Sequence, residues 1–235
     1  MNASPARDWD VPEAGYPARD RVALLALIWV PAVLVALVVA VFTGRWWAGV
    51  ALLILWGLKT LAEARWTDRV MLRRLGAGML DRHDAPRLEN LAAGIASDLG
   101  VDPPTLYLLR EGGPNALVAS GGKSGVLAVR KALLDTFTRT ELEAVVAHCL
   151  VRLHSREFIY SNLAARWSDL GAGLAPQVGT SDDVRAAALT RYPPALAAAI
   201  SKCDPQVARY APLWFVADAP SHVPADRRVE ALEDL

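Results

Sequence analysis

Apolar residues follow three different rhythms along the chain, and each rhythm predicts a different kind of element. Val22 to Phe42 is an uncharged run of 21 residues, long enough to cross a bilayer core as a helix. Pro31 lies inside it, which membrane helices tolerate better than soluble ones. A secretory signal peptide would have a shorter apolar region, then a small-residue cleavage site leading into a soluble stretch. Thr43-Gly44-Arg45 is a tight break. Trp46 to about Ala62 is a second apolar segment, with Trp46 and Trp47 placed as interfacial anchors and Lys59 snorkelling towards the headgroups. The pattern predicts a hairpin of two spans. The alternative is one span followed by an interfacial or buried helix.

From Pro86 the rhythm becomes that of a soluble domain. Leu88, Leu91, Ala92, Ile95 and Leu99 recur at helical spacing and stop at Gly100 and Pro103-Pro104. Leu106–Leu109, Ala116–Ala119 and Val126–Val129 read as three short strands, separated by Gly112-Gly113-Pro114 and Gly121-Gly122 turns. No Gly-Lys-Ser/Thr ending opens a helix, so these glycines are turn residues and no phosphate loop. Further on, 182–189 and 195–202 are helical, split by Tyr192-Pro193-Pro194, and the chain ends in a loop and a short amphipathic helix. Residues 169–181 read as a loop, and 159–175 is short and carries Arg166 and Asp169, which predicts no third span.

The stretch that carries chemistry lies between these. Thr138 and Glu141 form a Thr-x-x-Glu capping box, so a helix starts there and is expected to run to about Ala165. Leu142, Val145, Val146, Cys149, Leu150 and Leu153 make its apolar stripe, with His148 and Arg152 together on one edge. A zinc protease of the His-Glu-x-x-His type carries two histidine ligands on such an edge, with the glutamate as general base. Here the five positions read His148-Cys149-Leu150-Val151-Arg152. His154 lies six residues from His148, on a different face, and cannot substitute. His83 reads as a linker residue near the membrane.

Composition narrows the function classes. Acidic and basic residues balance at 25 each, and no basic stripe with interleaved aromatics follows the membrane region, which argues against a nucleic-acid partner. Two cysteines, Cys149 and Cys203, make no disulfide framework. Arg7, Arg19 and Arg21 precede the apolar region and Arg65, Arg69, Arg73 and Arg74 follow it, while Arg45 alone lies at the tip. The positive-inside rule then places both ends in the cytoplasm of a cell-membrane protein.

Several stretches together resemble the HtpX-type membrane zinc metallopeptidases, relatives of the CAAX prenyl protease 1 and Oma1 enzymes. They are Arg87 to Gly100 with Pro103-Pro104-Thr105-Leu106-Tyr107, then Pro114-Asn115-Ala116, Val126 to Leu134, and Thr140 to His148. Asp183 to Leu196 and Ser221-His222-x-Pro224 with Arg228 and Val229 complete the series. The resemblance implies an α+β fold: a mainly helical, zincin-like domain with a small β-sheet behind a two-helix transmembrane hairpin. The expected division is a flexible tail over 1–20, the hairpin over 21–64, a juxtamembrane linker helix over 65–85 and the peptidase-like domain over 86–235. The Asn115-Ala116 edge is where members are thought to lay a substrate backbone.

The same resemblance assigns the metal positions, and most are altered. His148 matches the first ligand, Cys149 stands at the general base and Arg152 at the second histidine. Gly179, counted back from Asp183, stands at the ligand glutamate. Arginine has five donors and no lone pair, so it repels a metal. No cofactor is therefore expected, although active relatives carry zinc. Three readings follow. A pseudopeptidase would bind a peptide along the Asn115 edge, a membrane protein in the bilayer, or an active homologue, with Arg152 paired to Asp182 or Asp183. A rearranged metallopeptidase would gather His148, His222 and Asp182 or Asp183, with Cys149 as a soft ligand. A cysteine enzyme would need Cys149 activated by His148 or His222.

Overall fold

The computed structural model describes residues 16–80, 85–120, 124–167, 173–205 and 210–235, excepting the side chains of 63–70 and 180. Most of the expected tail, His83 and the Gly121-Gly122 turn lie outside the described residues, as does part of the 169–181 loop. Helix α1 (Ala18–Thr43) ends at Gly44, whose φ of 62° is the left-handed cap that the Thr-Gly-Arg break requires. Helix α2 (Trp46–Arg74) packs back along it. Gly49 allows the close approach: a Cβ there would stand 2.7 Å from the Ala36 carbonyl and 3.2 Å from Ala40 Cβ. The small residues of both helices thus serve contact within the chain.

Their outer faces are apolar and exposed, including Val22, Val38, Phe42, Trp46, Ile54 and Leu58. Of the described helices, α1 is long and apolar enough to cross a membrane, whereas Trp46–Ala62 of α2 is a shorter apolar stretch. Of the linker helix expected over 65–85, the part up to Arg74 is a continuation of α2. No glycine or proline interrupts 63–74, so α2 continues to Arg74, and strand β1 (Gly78–Met79), which the sequence pattern missed, follows.

Helix α3 (Pro86–Leu99) buries Leu88, Leu91, Ala92 and Ile95 and ends on Gly100 at φ 72°, as its periodicity predicts. Strands β2 (Thr105–Leu109), β3 (Ala116–Ala119) and β4 (Val126–Arg130) fall where expected, each within a residue. The sheet order is β1-β2-β4-β3. β2 runs parallel to β4, pairing Thr105 with Val126, and β3 runs antiparallel to β4, pairing Ala116 with Val129. β3 is therefore a terminal strand.

After a short α4 (Lys131–Thr136), α5 (Arg139–Leu153) runs through the core. Its capping box is complete: Glu141 N–H donates to Thr138 Oγ1 at 3.3 Å, and Thr138 N–H donates to Glu141 Oε2 at 2.9 Å. The expected run to Ala165 is corrected. α5 stops at Leu153 because Ser155 N–H turns to the Arg152 carbonyl in a tighter, i−3 bond, and α6 (Phe158–Ala164) starts anew. α6 divides between two clusters: Phe158 joins the main core, whereas Ala164, together with Ala175, meets Leu24 and Ile28 of α1 in a small apolar cluster. The remaining elements among the described residues are α7 (Thr180–Thr190), α8 (Pro193–Lys202), a 3-10 turn (Ala211–Leu213) and α9 (Ala225–Glu233).

Candidate functional site

Three elements bring the predicted residues together: α5 supplies His148 and Arg152, α7 supplies Asp182 and Asp183, and the 214–228 stretch supplies His222. His148 is fully buried. Its Nδ1 lies 2.9 Å from Asp183 Oδ1, yet off the line of a hydrogen bond, so neither ring nitrogen has an aligned partner. The ring meets Phe215 edge-on at 4.8 Å. Burial pushes the imidazole below its ordinary value against the pull of Asp183, so it is neutral at physiological pH.

Asp183 is claimed by another residue. Arg228 of α9 grips it in a fork, Nε to Oδ2 at 2.8 Å and Nη2 to Oδ1 at 2.7 Å, and donates from Nη1 to the Phe215 carbonyl at 2.8 Å. Burial alone would push the carboxyl up, but Arg228 and His148 together hold it well below the usual carboxylate range. The expected Arg152–Asp183 pair is therefore corrected. Arg228 appeared in the sequence only as part of a C-terminal element, with nothing in the spacing to say what it faced.

Arg152 is buried and pairs with backbone instead. It donates from Nη1 to the Trp214 carbonyl at 3.0 Å and from Nη2 to the Pro212 carbonyl. Burial lowers its pKa to about 10, with Asp182 pulling the other way, so it stays a cation. Asp182 influences Arg152 through charge but makes no ion pair with it. Half-buried by exposure, Asp182 is still deep enough that burial pushes its carboxyl up despite His148 and Arg152. With Arg152, Ser155 and Glu157 it lines a polar cavity of about 400 Å³ that reaches Arg19 and Asp20 at the start of α1.

His222 closes the site. Its Nε2 lies 3.0 Å from the Trp214 carbonyl and its Nδ1 3.1 Å from Ser221 Oγ. A carbonyl only accepts, so Nε2 carries the proton and Nδ1 accepts from the Ser221 hydroxyl. Burial, then the nearby Arg152, pushes this imidazole down to about 3. Cys149 is buried too, and burial pushes its thiol up to about 12, outweighing Arg152; no thiolate forms near neutral pH.

Gly179 occupies a turn, not a helix. It caps α7 at φ 141°, ψ −140°, where the neighbouring Val178 pairs with His222. A Cβ at this glycine would stand 2.9 Å from Val223 Cβ and 3.3 Å from Arg228 Cδ. The position that the sequence resemblance assigns to the third ligand thus has neither the backbone conformation nor the space for a side chain.

The residues present do not fit a catalytic zinc. One imidazole has a carboxylate neighbour already bound by a guanidinium, a second guanidinium stands at the next ligand position, and the third position is closed. Among the described residues no three His, Cys, Asp or Glu side chains are placed to hold a metal ion. Asn115 and Ala116, assigned to a peptide edge, carry the chain's own residues 215 and 216: Phe215 N–H donates to the Ala116 carbonyl at 2.8 Å, and Asn115 Nδ2 donates to the Val216 carbonyl at 2.7 Å.

Comparison with known proteins agrees on one family. The chain is 30% identical over 181 residues to a "Protease HtpX homolog" of Dictyoglomus thermophilum, covering 58% of this chain and 60% of that protein. It is 32% identical over 101 residues to one from Thermococcus sibiricus, covering 43% and 35%. A Halobacterium salinarum homologue is 31% identical over 108 residues, covering 46% and 35%. No family model and no solved structure matches the chain. It thus spans about a third to three-fifths of the length of these curated relatives. Over that shared part, the chain is similar to the HtpX-type proteins.

Proposed function

We propose that this is a membrane-anchored pseudopeptidase, which keeps an HtpX-like peptidase domain over 86–235 and acts by binding membrane proteins or peptides, or by regulating an active homologue. The observation that carries the reading is Arg152. A buried cation at the second-ligand position, tied to two backbone carbonyls, leaves no room in charge or space for a metal beside His148. The closed Gly179 position supports the same conclusion.

For the anchor, we read α1 and the apolar part of α2 as two spans, with both chain ends in the cytoplasm. The exposed apolar faces of both helices support this, and so does the placing of Arg19, Arg21, Arg73 and Arg74 at one end and Arg45 at the other. The 17-residue apolar stretch of α2 is at the short end of what crosses a bilayer, about 17–25 residues. The bilayer is then a constant partner, and nucleic acid is not one.

One observation favours a rearranged zinc endopeptidase, active in membrane-protein quality control: the buried Nε2 of His148 has no hydrogen-bond partner. Metal content separates the readings. The full chain, purified in detergent and dialysed against zinc, should hold far less than one zinc per molecule. Chelators should leave its melting temperature unchanged. A ratio near one, lost in His148→Ala, would overturn the pseudopeptidase.

A further inference from the structure

A terminal strand normally presents a free row of backbone donors and acceptors on its outer edge. In β3 that edge is filled by the chain itself. Leu117 and Trp214 form an antiparallel bridge, and Phe215 N–H donates to the Ala116 carbonyl at 2.8 Å. The Asn115 side chain continues the ladder as a backbone amide would, donating to the Val216 carbonyl at 2.7 Å and accepting from Val216 N–H at 3.3 Å. The Trp214 carbonyl then takes two donors, Arg152 Nη1 and His222 Nε2, each at 3.0 Å. Trp214, Phe215 and Val216 are all buried. Just before them, Tyr210 sits at φ 69°, in the left-handed region that non-glycine residues enter under strain.

We infer that residues 212–216 are a peptide held in cis. They fill the peptide edge of β3, and an external peptide reaches that edge only by displacing them. This rests on the pseudopeptidase reading and adds its control. The arrangement also defines the displacing partner. It is an extended segment with aromatic and aliphatic residues in place of Trp214, Phe215 and Val216, and a carbonyl to receive Arg152 and His222. Strand addition draws its affinity from main-chain bonds and its selectivity from alternate side chains. A cis occupant lowers the apparent affinity for the external peptide by the fraction of time the edge is open.

The test uses the full chain in detergent and a fluorescent synthetic peptide, Pro-Leu-Trp-Phe-Val-Ala-Asp-Ala, copied from residues 212–219. Trp214→Ala and Val216→Ala each remove a buried side chain of the cis segment and leave Asn115, Arg152 and His222 in place to receive the probe. Each variant should bind the probe about tenfold tighter than the unaltered chain and exchange the Phe215 amide hydrogen faster. Equal binding by the three proteins would overturn the inference. So would faster exchange without gain in binding, since 212–216 would then be a fixed fifth strand.

Should the variants fail to fold, the unaltered chain decides. Probe at about 1 mM should speed exchange of the chain's own Phe215 amide, and unchanged exchange overturns the inference. The recovered probe is checked by mass spectrometry and the protein for zinc. Cleaved probe with bound zinc would sink the pseudopeptidase while leaving cis occupancy standing. Intact probe with no displacement would sink cis occupancy alone.

Discussion

The two buried arginines of the site are held in opposite ways. Arg228 faces a full negative charge, forked onto Asp183 with both bonds under 3 Å. Arg152 faces neutral dipoles, the carbonyls of Pro212 and Trp214, with Asp182 acting only through charge at longer range. The first is a charge pair that joins α7 to α9. The second is a cation that pins a backbone segment. The difference teaches which part is framework and which part can yield: breaking a desolvated pair strands a charge, whereas loosening a carbonyl clamp leaves acceptors that a small shift can wet.

The largest effect should therefore come from the pair. Asp183→Ala leaves Arg228 buried without its counter-charge and should destabilise the full chain by ~3–5 kcal/mol in urea unfolding followed by tryptophan fluorescence. Replacing both partners, Asp183→Leu with Arg228→Met, should recover most of that loss. A single-variant loss below about 1 kcal/mol would erase the contrast between the two arginines.

Acid probes both regions at once. His222 has its pKa pushed down to about 3, against 6.5 unfolded. The unfolded chain thus binds the extra proton, and stability is full above pH 6.5 and falls as pH drops towards 3. At ~1.4 kcal/mol per unit, lowering the pH from 6.5 to 4.5 should cost roughly 2–3 kcal/mol. His148, lowered by burial, pulls in the same direction. Asp183, also depressed, adds its loss only below pH ~4, its unfolded range. Asp182, raised by burial, opposes both. His222→Phe should flatten the upper part of this profile and leave the lower part; a profile unchanged down to pH 4 would contradict the burial of His222.

Arg152→Met tests the weaker clamp. It keeps an unbranched chain in the space and removes two donors, so the Pro212 carbonyl loses its partner while Trp214 keeps His222. We expect a loss of about 1–3 kcal/mol, below that of Asp183→Ala in the same assay. A loss equal to or above it would mean that Asp182 is a true partner of Arg152.

The contrast was only partly legible in the sequence, for physical reasons. Period and punctuation are local, and so α1, α3, α5's start at the Thr138 cap and strands β2 to β4 could all be read directly. β1, with two residues, is too short to show a period. The end of α5 escaped because the change from i−4 to i−3 bonding at Arg152 and Ser155 leaves no mark in hydrophobicity. At the site, His148, Arg152, Asp183 and His222 were each found by resemblance to a spaced motif. Their partners were not, because pairing is tertiary: Arg228 reaches Asp183 across 45 residues, and Trp214 reaches Arg152 across 62. The sequence named both carboxylates as candidates for Arg152, and nothing local could show that a second arginine had taken one of them.

Gly179 offers the finest test, because it separates a lost ligand from a closed position. If the third-ligand site had only lost its side chain, alanine there would cost nothing. The φ of 141° and the 2.9 Å approach to Val223 predict otherwise: backbone strain and a rigid, branched neighbour together should cost about 1–2 kcal/mol. Gly173 is the control, since a Cβ there meets nothing within 4 Å and Gly173→Ala should be neutral within ~0.5 kcal/mol. Equal stability of the two variants would show that α7 can extend back over residue 179. In that case Cys149→Glu, Arg152→His and Gly179→Glu together should restore zinc binding. With Gly179→Ala costly and Gly173→Ala neutral, the same triple variant should remain metal-free, because its third ligand would have to rise from a turn that excludes it.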